Sequence, residues 1–356
     1  MKKKLLFCSY SLDIGGIENA LINLLNNMDY SKYDVDLILE RKEGLLLDRL
    51  NENVNVIEYR VSDDKNVFIR KFKNLFKKLF WMMFNYHKYD FSCCYATYSL
   101  PCNFLGYYGS SNNCLYVHSN YKYIYDEVGL REFFDCRRIN KFRNVVFVSN
   151  EARNDLIDFY PVLAKKSLVI NNLINYDEVL RLSNEKVDFK KNKDVLFVFV
   201  GRLEENSKKL SRMIEVVKKL DDVELLIVGD GPDYDMYKKM ISGCENIIMI
   251  GSKKNPYPYM KLADYVVLSS DYEGFPVVYS EAIVLNKKII STMDVSDDFI
   301  SIPNRHGYIV SKDNDKMYKE INYILSNDNL EYKCIDFKEI NSYKVKKIED
   351  IIEEVI

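Results

Sequence analysis

Short apolar runs alternate with helix-periodic stretches almost from one end of the chain to the other. In the first half, strands are predicted at 3–9, 35–40, 54–59, 91–97, 114–118, 144–149 and 167–171. Helical patterns fall between them, as at 17–28, where Ile17, Leu21, Leu24, Leu25 and Met28 share one face. This alternation of apolar runs and helical periods is the signature of βα units. That suits strands buried on both faces of a parallel sheet covered by helices. A second series follows at 195–200, 223–228, 246–250, 264–269, 288–292 and 307–310. Between the two series, 181–194 is polar and without apolar period, which predicts a linker. The pattern predicts an α/β chain of two Rossmann-like domains, 1–180 and 195–342. A final helix, 343–356, is too short for a domain and is expected to pack back on the first.

One helical stretch stands apart. In 67–86, Phe68, Phe72, Leu75, Phe76, Leu79 and Met83 line one face, while Arg70, Lys71, Lys73, Lys77 and Lys78 mark the other. The single tryptophan, Trp81, is also here. Two placements fit: a domain helix with its apolar face on the sheet and its lysines in water, or a basic amphipathic helix facing an anionic membrane surface.

Gross composition narrows the class. A chain of 356 residues has room for two cores, and 47% hydrophobic with 29% mixed charge is globular. A net charge of −2 argues against nucleic-acid binding by global charge, and no nucleic-acid partner is expected. The lysine-rich start imitates a signal peptide, but Asp13 and Gly15-Gly16 break its apolar run. A first buried strand and a cytoplasmic protein are expected. No apolar run approaches the roughly 20 residues that span a bilayer. The eight cysteines show no C-x-x-C spacing, so free thiols in a reducing compartment are expected.

Candidate chemistry sits where strands end. Gly15-Gly16, followed by Glu18, and Gly229 to Pro232 are glycine turns that open helices, where unpaired N–H groups suit an anion. Taken alone, each reads as a tight structural turn rather than a phosphate cradle, and neither completes G-x-G-x-x-G. After strand 195–200, Gly201-Arg202 and then Lys208 place two cations at a strand end, where they can clamp a phosphate or simply be solvated. In 271–283, DYEGFPVVYSEAI, Glu273 lies in a loop and Pro276 sits where a helix start tolerates it. Glu281 lies just beyond the first helical turn. Ionised carboxylates accept from sugar and ribose hydroxyls, and the amides of 275–278 favour a phosphate between them. The plainer account makes Glu281 an exposed helix residue and Glu273 a favourable charge near a helix start. The D-x-D triplets at 34–36, 233–235 and 313–315 fit a strand opening and helix starts. There is no His/Cys cluster with metal spacing, so no metal is expected.

Taken jointly, G-G-x-E (Gly15, Gly16, Glu18), G-R-L…K (Gly201, Arg202, Leu203, Lys208), V-G-D-G-P (228–232) and E-G-F-P-x-x-x-x-E (Glu273 to Glu281) resemble the retaining glycosyltransferases of family 4. Those enzymes have the GT-B fold, two Rossmann-like domains with parallel sheets facing across a cleft. The resemblance runs along nearly the whole chain and is most specific in the C-terminal half. It implies that Glu281 holds the nucleotide ribose and Glu273 the sugar hydroxyls of a donor, expected to be UDP-linked. Arg202 and Lys208 would neutralise the leaving diphosphate, assisted by the amides of Gly16, Val277 and Val278. His118, at the end of strand 114–118, matches a family histidine near the transferred sugar. As a bare sequence feature, a structural histidine is the alternative. Phe275, Gly231 and Ser252 are further donor-binding positions by the same resemblance.

In such enzymes the acceptor attacks from the face the phosphate leaves, with retention, and no metal or other cofactor is implied. The acceptor would be a glycan or lipid-linked intermediate of a bacterial surface polysaccharide, with the enzyme peripheral on the inner face of the membrane. One departure is that the loop from Arg202 to Lys208 is a residue longer than usual, and Lys209 stands where the family has glycine or asparagine. Lys208 keeps the family spacing to Met213-Ile214. Two other readings remain, a GT-B-fold UDP-sugar epimerase and a non-catalytic sugar-nucleotide-binding subunit. The three histidines, His87, His118 and His306, offer the epimerase few acid/base groups.

Overall fold

A computed structural model describes residues 1–13, 15–294, 302, 305–332 and 335–354. The chain divides into two compact units, Met1–Leu173 with Asn341–Ile356, and Ile174–Ile340. The first holds strands β1 (Lys3–Ser9), β2 (Tyr33–Leu39), β3 (Val54–Glu58), β4 (Phe91–Cys94), β5 (Asn113–Val117), β6 (Asn144–Phe147) and β7 (Ser167–Val169). They form one parallel sheet in the order β3-β2-β1-β4-β5-β6-β7. Its helices are α1 (Gly16–Asn26), α2 (Val67–Asn85), α3 (Leu100–Gly109), α4 (Glu127–Cys136) and α5 (Asn150–Phe159).

In the second unit, helices α6 (Tyr176–Leu182), α7 (Glu205–Lys208), α8 (Leu210–Val217), α9 (Tyr234–Met240), α10 (Tyr257–Leu262), α11 (Val277–Val284) and α12 (Asn314–Asn327) surround a parallel sheet. Its strands are β8 (Val195–Val200), β9 (Val223–Val228), β10 (Ile247–Met249), β11 (Tyr265–Leu268), β12 (Lys288–Ser291) and β13 (Gly307–Ile309), ordered β10-β9-β8-β11-β12-β13. Successive side chains of a strand point to opposite faces, so a run buried at every position needs cover on both sides. Leu5 to Cys8 in β1 and Leu196 to Phe199 in β8 are such runs, with no residue more than 1% exposed. Helices supply the cover: in the second unit Leu210, Met213, Ile214 and Val217 of α8 join Phe197, Phe199, Leu225 and Ile227 in one core.

The predicted strands are all present, several with trimmed ends. The run at 91–97 leaves the ladder after Cys94, because the amides of Tyr95 and Ala96 both turn onto the carbonyl of Cys8. The domain boundary differs from expectation. The second unit begins at 174 rather than after a linker at 181–194, because α6 buries Val179 and packs on α10 and α11. The polar stretch is tied to the same unit. Asn255 and Lys261 bond to Leu182 and Asn184, and Asn192 donates to the buried carboxylate of Glu224. Apolar periodicity misses such a segment, since polar side chains hold it.

The last helix, α13 (Phe337–Ile352), belongs to the first unit from Asn341 onward. Asn112 satisfies its terminal carbonyls at Ile351 and Ile352, and Lys3 and Arg143 pair with Glu353 and Glu354 just beyond.

Helix α2 does not lay its apolar face on the sheet. Trp81 is its one buried residue, and the apolar stripe faces outward. The polar side is turned inward and pinned. Asn74 exchanges hydrogen bonds with the backbone of Ser62, Lys77 donates to the carbonyl of Arg60, and Lys78 lies over the ring of Phe104. A domain helix burying its apolar face on the sheet is therefore not what forms.

Candidate functional site

In an open parallel sheet, ligands bind beyond the carboxyl ends of the strands where the strand order reverses. In the second unit that point lies between β8 and β11, which are neighbours in the sheet although β9 and β10 separate them in the chain. Gly201-Arg202 and α7, which ends in Lys208, follow β8, while the loop carrying Glu273 follows β11. The sheet therefore brings together two motifs some 65 residues apart.

Lys208 Nζ lies 2.5 Å from Glu273 Oε1, and the Ser270 hydroxyl donates to the same oxygen at 2.7 Å. The backbone also joins the two loops, with the Asp271 amide on the Ser207 carbonyl at 2.8 Å and the Ser269 hydroxyl on the Lys208 carbonyl at 3.2 Å. Lys209 takes the left-handed conformation (φ 46°) and separates α7 from α8. It is Lys208, not Lys209, that reaches Glu273. Glycine or asparagine adopts such a positive φ with less strain than lysine. Arg202 is exposed, and its side chain has no hydrogen-bond or ion-pair partner among the described residues.

A second layer holds the Glu273 loop and escaped sequence reasoning. Arg212 of α8 pairs with Asp271 at 2.7 Å and donates to the Ser269 carbonyl, while Lys312 donates to the Asp271 carbonyl. Burial opposes the charge on Asp271, but the hydrogen bond and charge of Arg212, with Lys312, hold its carboxyl below the usual range. Arg212 and Lys312 are 59 and 41 residues from Asp271 along the chain, so no local pattern signals them.

Helix α11 buries Tyr279, Ser280, Ala282 and Ile283, leaving Val277, Val278, Glu281 and Val284 on a half-open stripe. Pro276 precedes it with no side-chain cap, so the amides of the first turn lack a capping acceptor. Glu281 lies one turn below Val277 and accepts a hydrogen bond from the Tyr257 hydroxyl at 3.0 Å. Phe275 is buried and anchors the turn before the helix.

Gly231 departs from expectation. Its amide is taken by the Asp230 carboxylate at 2.7 Å, and a Cβ there would meet the Leu203 carbonyl oxygen at 2.3 Å. The Gly229 amide is likewise taken, by the Gly251 carbonyl. These glycines let the turn after β9 pack against the backbone of 201–203 and brace the Arg202 loop, so they are not an open anion cradle. Ser252 is exposed just beyond that turn's partner, Gly251.

In the first unit, Gly16 opens α1 after an uncapped Gly15, and space for a side chain at Gly16 is empty to 4 Å. Glu18, in the first turn, accepts from the Tyr98 hydroxyl at 3.4 Å, and burial raises its pKa. His118 immediately follows β5, with Nε2 at 2.9 Å from the Tyr95 carbonyl and its ring stacked on Tyr116. Burial lowers its pKa to about 3, against a smaller opposing effect of the Tyr95 bond, so the ring is neutral at pH 7. Its Nδ1 is buried without a hydrogen-bond partner among the described residues. With Nε2 donating to Tyr95, Nδ1 is left as the ring's acceptor.

Two parallel α/β units of this kind, with cations and carboxylates gathered at the reversal point of the second, are the architecture of GT-B glycosyltransferases. Residues 182–339 match the family model of glycosyl transferases group 1, so the second unit carries a group 1 glycosyltransferase domain. The O-antigen biosynthesis glycosyltransferase WbnH of Escherichia coli is 28% identical over 172 residues, 48% of each chain. The Campylobacter jejuni N-acetylgalactosamine-N,N'-diacetylbacillosaminyl-diphospho-undecaprenol 4-alpha-N-acetylgalactosaminyltransferase is 24% identical over 188 residues, 49% of each chain. The chain thus spans about half the length of the curated relatives it matches. The fold likeness extends further: Anabaena Alr3699/HepE, solved with UDP and glucose, superposes with a TM-score of 0.73 at 16% identity over 99% of both chains.

Proposed function

We propose that the chain is a retaining glycosyltransferase that moves a sugar from a UDP-linked donor to a glycan or lipid-linked acceptor during surface-polysaccharide assembly. The observation that carries this reading is the cluster at the reversal point of the second sheet, where Lys208 meets Glu273 and Arg202, with no side-chain partner among the described residues, follows the same strand β8. Glu281 lies a turn inside α11, on the half-open face. Cations and a helix N-terminus suit a diphosphate, and the two carboxylates suit the hydroxyls on either side of it. The preference for UDP is supported by the UDP bound to the similar Anabaena protein, and the lipid-linked acceptor by the name of the Campylobacter relative. An acceptor carried on a lipid also implies work at a membrane surface.

In this reading the bond from the sugar C1 to the diphosphate oxygen breaks as the acceptor oxygen bonds to C1 on the same face. The acceptor proton passes to the departing phosphate oxygen. Arg202 and Lys208 stabilise the charge that develops there, and Glu273 holds the sugar hydroxyls in place. Glu281, steadied by Tyr257, accepts from the ribose. With these cations on the diphosphate, the reading needs no metal.

The test is thermal unfolding with UDP, GDP and ADP in buffer containing EDTA. UDP is expected to raise Tm, and Glu281→Gln to weaken that protection about tenfold in UDP concentration, as loss of a charge-assisted hydrogen bond requires. Absence of protection by UDP, or an unchanged response in Glu281→Gln, overturns the assignment.

A further inference from the structure

We propose that α2 is an interfacial helix that lays its outward apolar face into an anionic lipid surface. The proposal stands on the first unit alone and is independent of the donor chemistry. Phe68, Phe72, Phe76, Leu79, Phe80 and Met83 are each more than half exposed, from 53% for Leu79 to 84% for Phe68. At about 100° per residue these six fall within an arc of about 120°. A contiguous stripe of large apolar side chains in water marks an interaction surface, whereas single exposed ones would not. Nor is the stripe a helix that failed to dock. Trp81 is wedged against Phe104, Asn74 is bonded to Ser62, and Lys77 to Arg60, so the inward side is specified.

Charge decides what covers the stripe. Val67–Asn85 carries five cations and no acidic residue, in a chain whose net charge is −2. A second copy packed through this face would bring together two basic helices with no acidic residue in either to offset the charge. An anionic bilayer offers both halves of the match: acyl chains for the phenylalanines, and headgroup phosphates for the cations on the flanks of the stripe. Lys71 and Arg70 are exposed, and Lys73 bonds Asp64 while more than half of its side chain stays in water. Long basic side chains bend toward the headgroup level while their stems cover apolar surface. The helix is not apolar enough to cross a membrane. It therefore lies in the interface, as basic amphipathic helices with aromatic apolar faces do.

The experiment is vesicle flotation of the whole protein, without nucleotide. Vesicles of phosphatidylcholine alone are compared with vesicles containing 30% phosphatidylglycerol (about one lipid in three, enough to give a strongly negative surface). Binding to the anionic vesicles and weakening at high salt are expected. Each cation near such a surface strengthens binding about fivefold, so Lys71→Glu with Lys73→Glu should weaken it at least about 25-fold. Phe72→Ser with Phe76→Ser should abolish binding while leaving Tm unchanged, because both rings are exposed; a fall in Tm would instead give them a packing role. No binding to anionic vesicles overturns the proposal, as does binding that ignores both pairs of substitutions. So does a concentration-dependent dimer that Phe72→Ser with Phe76→Ser dissolves in the absence of any lipid binding. Because no nucleotide is present, failure here leaves the donor reading untouched, and absence of UDP protection leaves this one untouched.

Discussion

Breaking the Lys208–Glu273 pair separates its structural role from its functional one. Glu273 Oε1 receives Lys208 at 2.5 Å and Ser270 at 2.7 Å, and the two charged side chains are 21% (Lys208) and 14% (Glu273) exposed. Exposed ion pairs contribute up to about 1 kcal/mol, and rupture of a buried one costs about 3–5 kcal/mol. A pair mostly but not wholly out of water lies between, so a coupling energy of about 1–3 kcal/mol is expected. The measurement is a double-mutant cycle of Glu273→Gln, Lys208→Met and the double variant, followed by urea unfolding. Both substitutions keep side-chain size, so the cycle reads the charge contact rather than a cavity. Repeating the cycle in saturating UDP adds the functional arm. A diphosphate offers Lys208 a competing anion, and the coupling should fall to less than about half of its ligand-free value. Coupling within about 0.3 kcal/mol of zero without ligand refutes the pair. A coupling that UDP leaves unchanged refutes Lys208 as a phosphate ligand, whatever its part in stability.

Two further predictions concern backbone conformation and pH. Lys209 holds a positive φ that asparagine adopts more readily and precedes α8 at its cap, so Lys209→Asn should stabilise the protein by about 0.5–1 kcal/mol; a Tm equal to or below that of the parent contradicts the strain. His118 is held by burial at a pKa of about 3, so between that value and the ordinary one near 6.5 the unfolded chain binds a proton that the native ring refuses. Stability should therefore fall as pH drops from 7 to 5, this group adding at most about 1.4 kcal/mol per pH unit. His118→Gln should make that fall shallower in urea titrations, and an unaltered slope would show that the ring is not kept neutral.

Much of the architecture is written in local patterns. Strands buried on both faces are apolar at consecutive positions, so β8 and the Leu5–Cys8 run of β1 announce themselves without reference to anything distant. The site motifs were legible for the same reason. Arg202, Lys208, Glu273 and Glu281 sit just after strand ends or within a helix that opens with Pro276, and turn chemistry is encoded within a few residues. What the sequence determined by itself was therefore the number and order of the elements and the identity of the charged groups at their ends.

The tertiary structure decided which of those groups meet and which way each element faces. Lys208 and Glu273 become partners because β8 and β11 lie side by side, and strand order is a property of the whole sheet. The turn at Gly229 to Pro232 reads in sequence as a structural turn or a phosphate cradle, and the packed backbone of Leu203 shows that the amide and the space of Gly231 are already used. Val179 drew α6 into the second unit through contacts that no linear polarity pattern contains. The clearest case is α2. Its amphipathic sequence fixes a helix with one apolar side, yet periodicity has no sign for inside or outside. That sign came from Trp81, Asn74 and Lys77, which bind the polar side to the domain and leave the phenylalanines facing out.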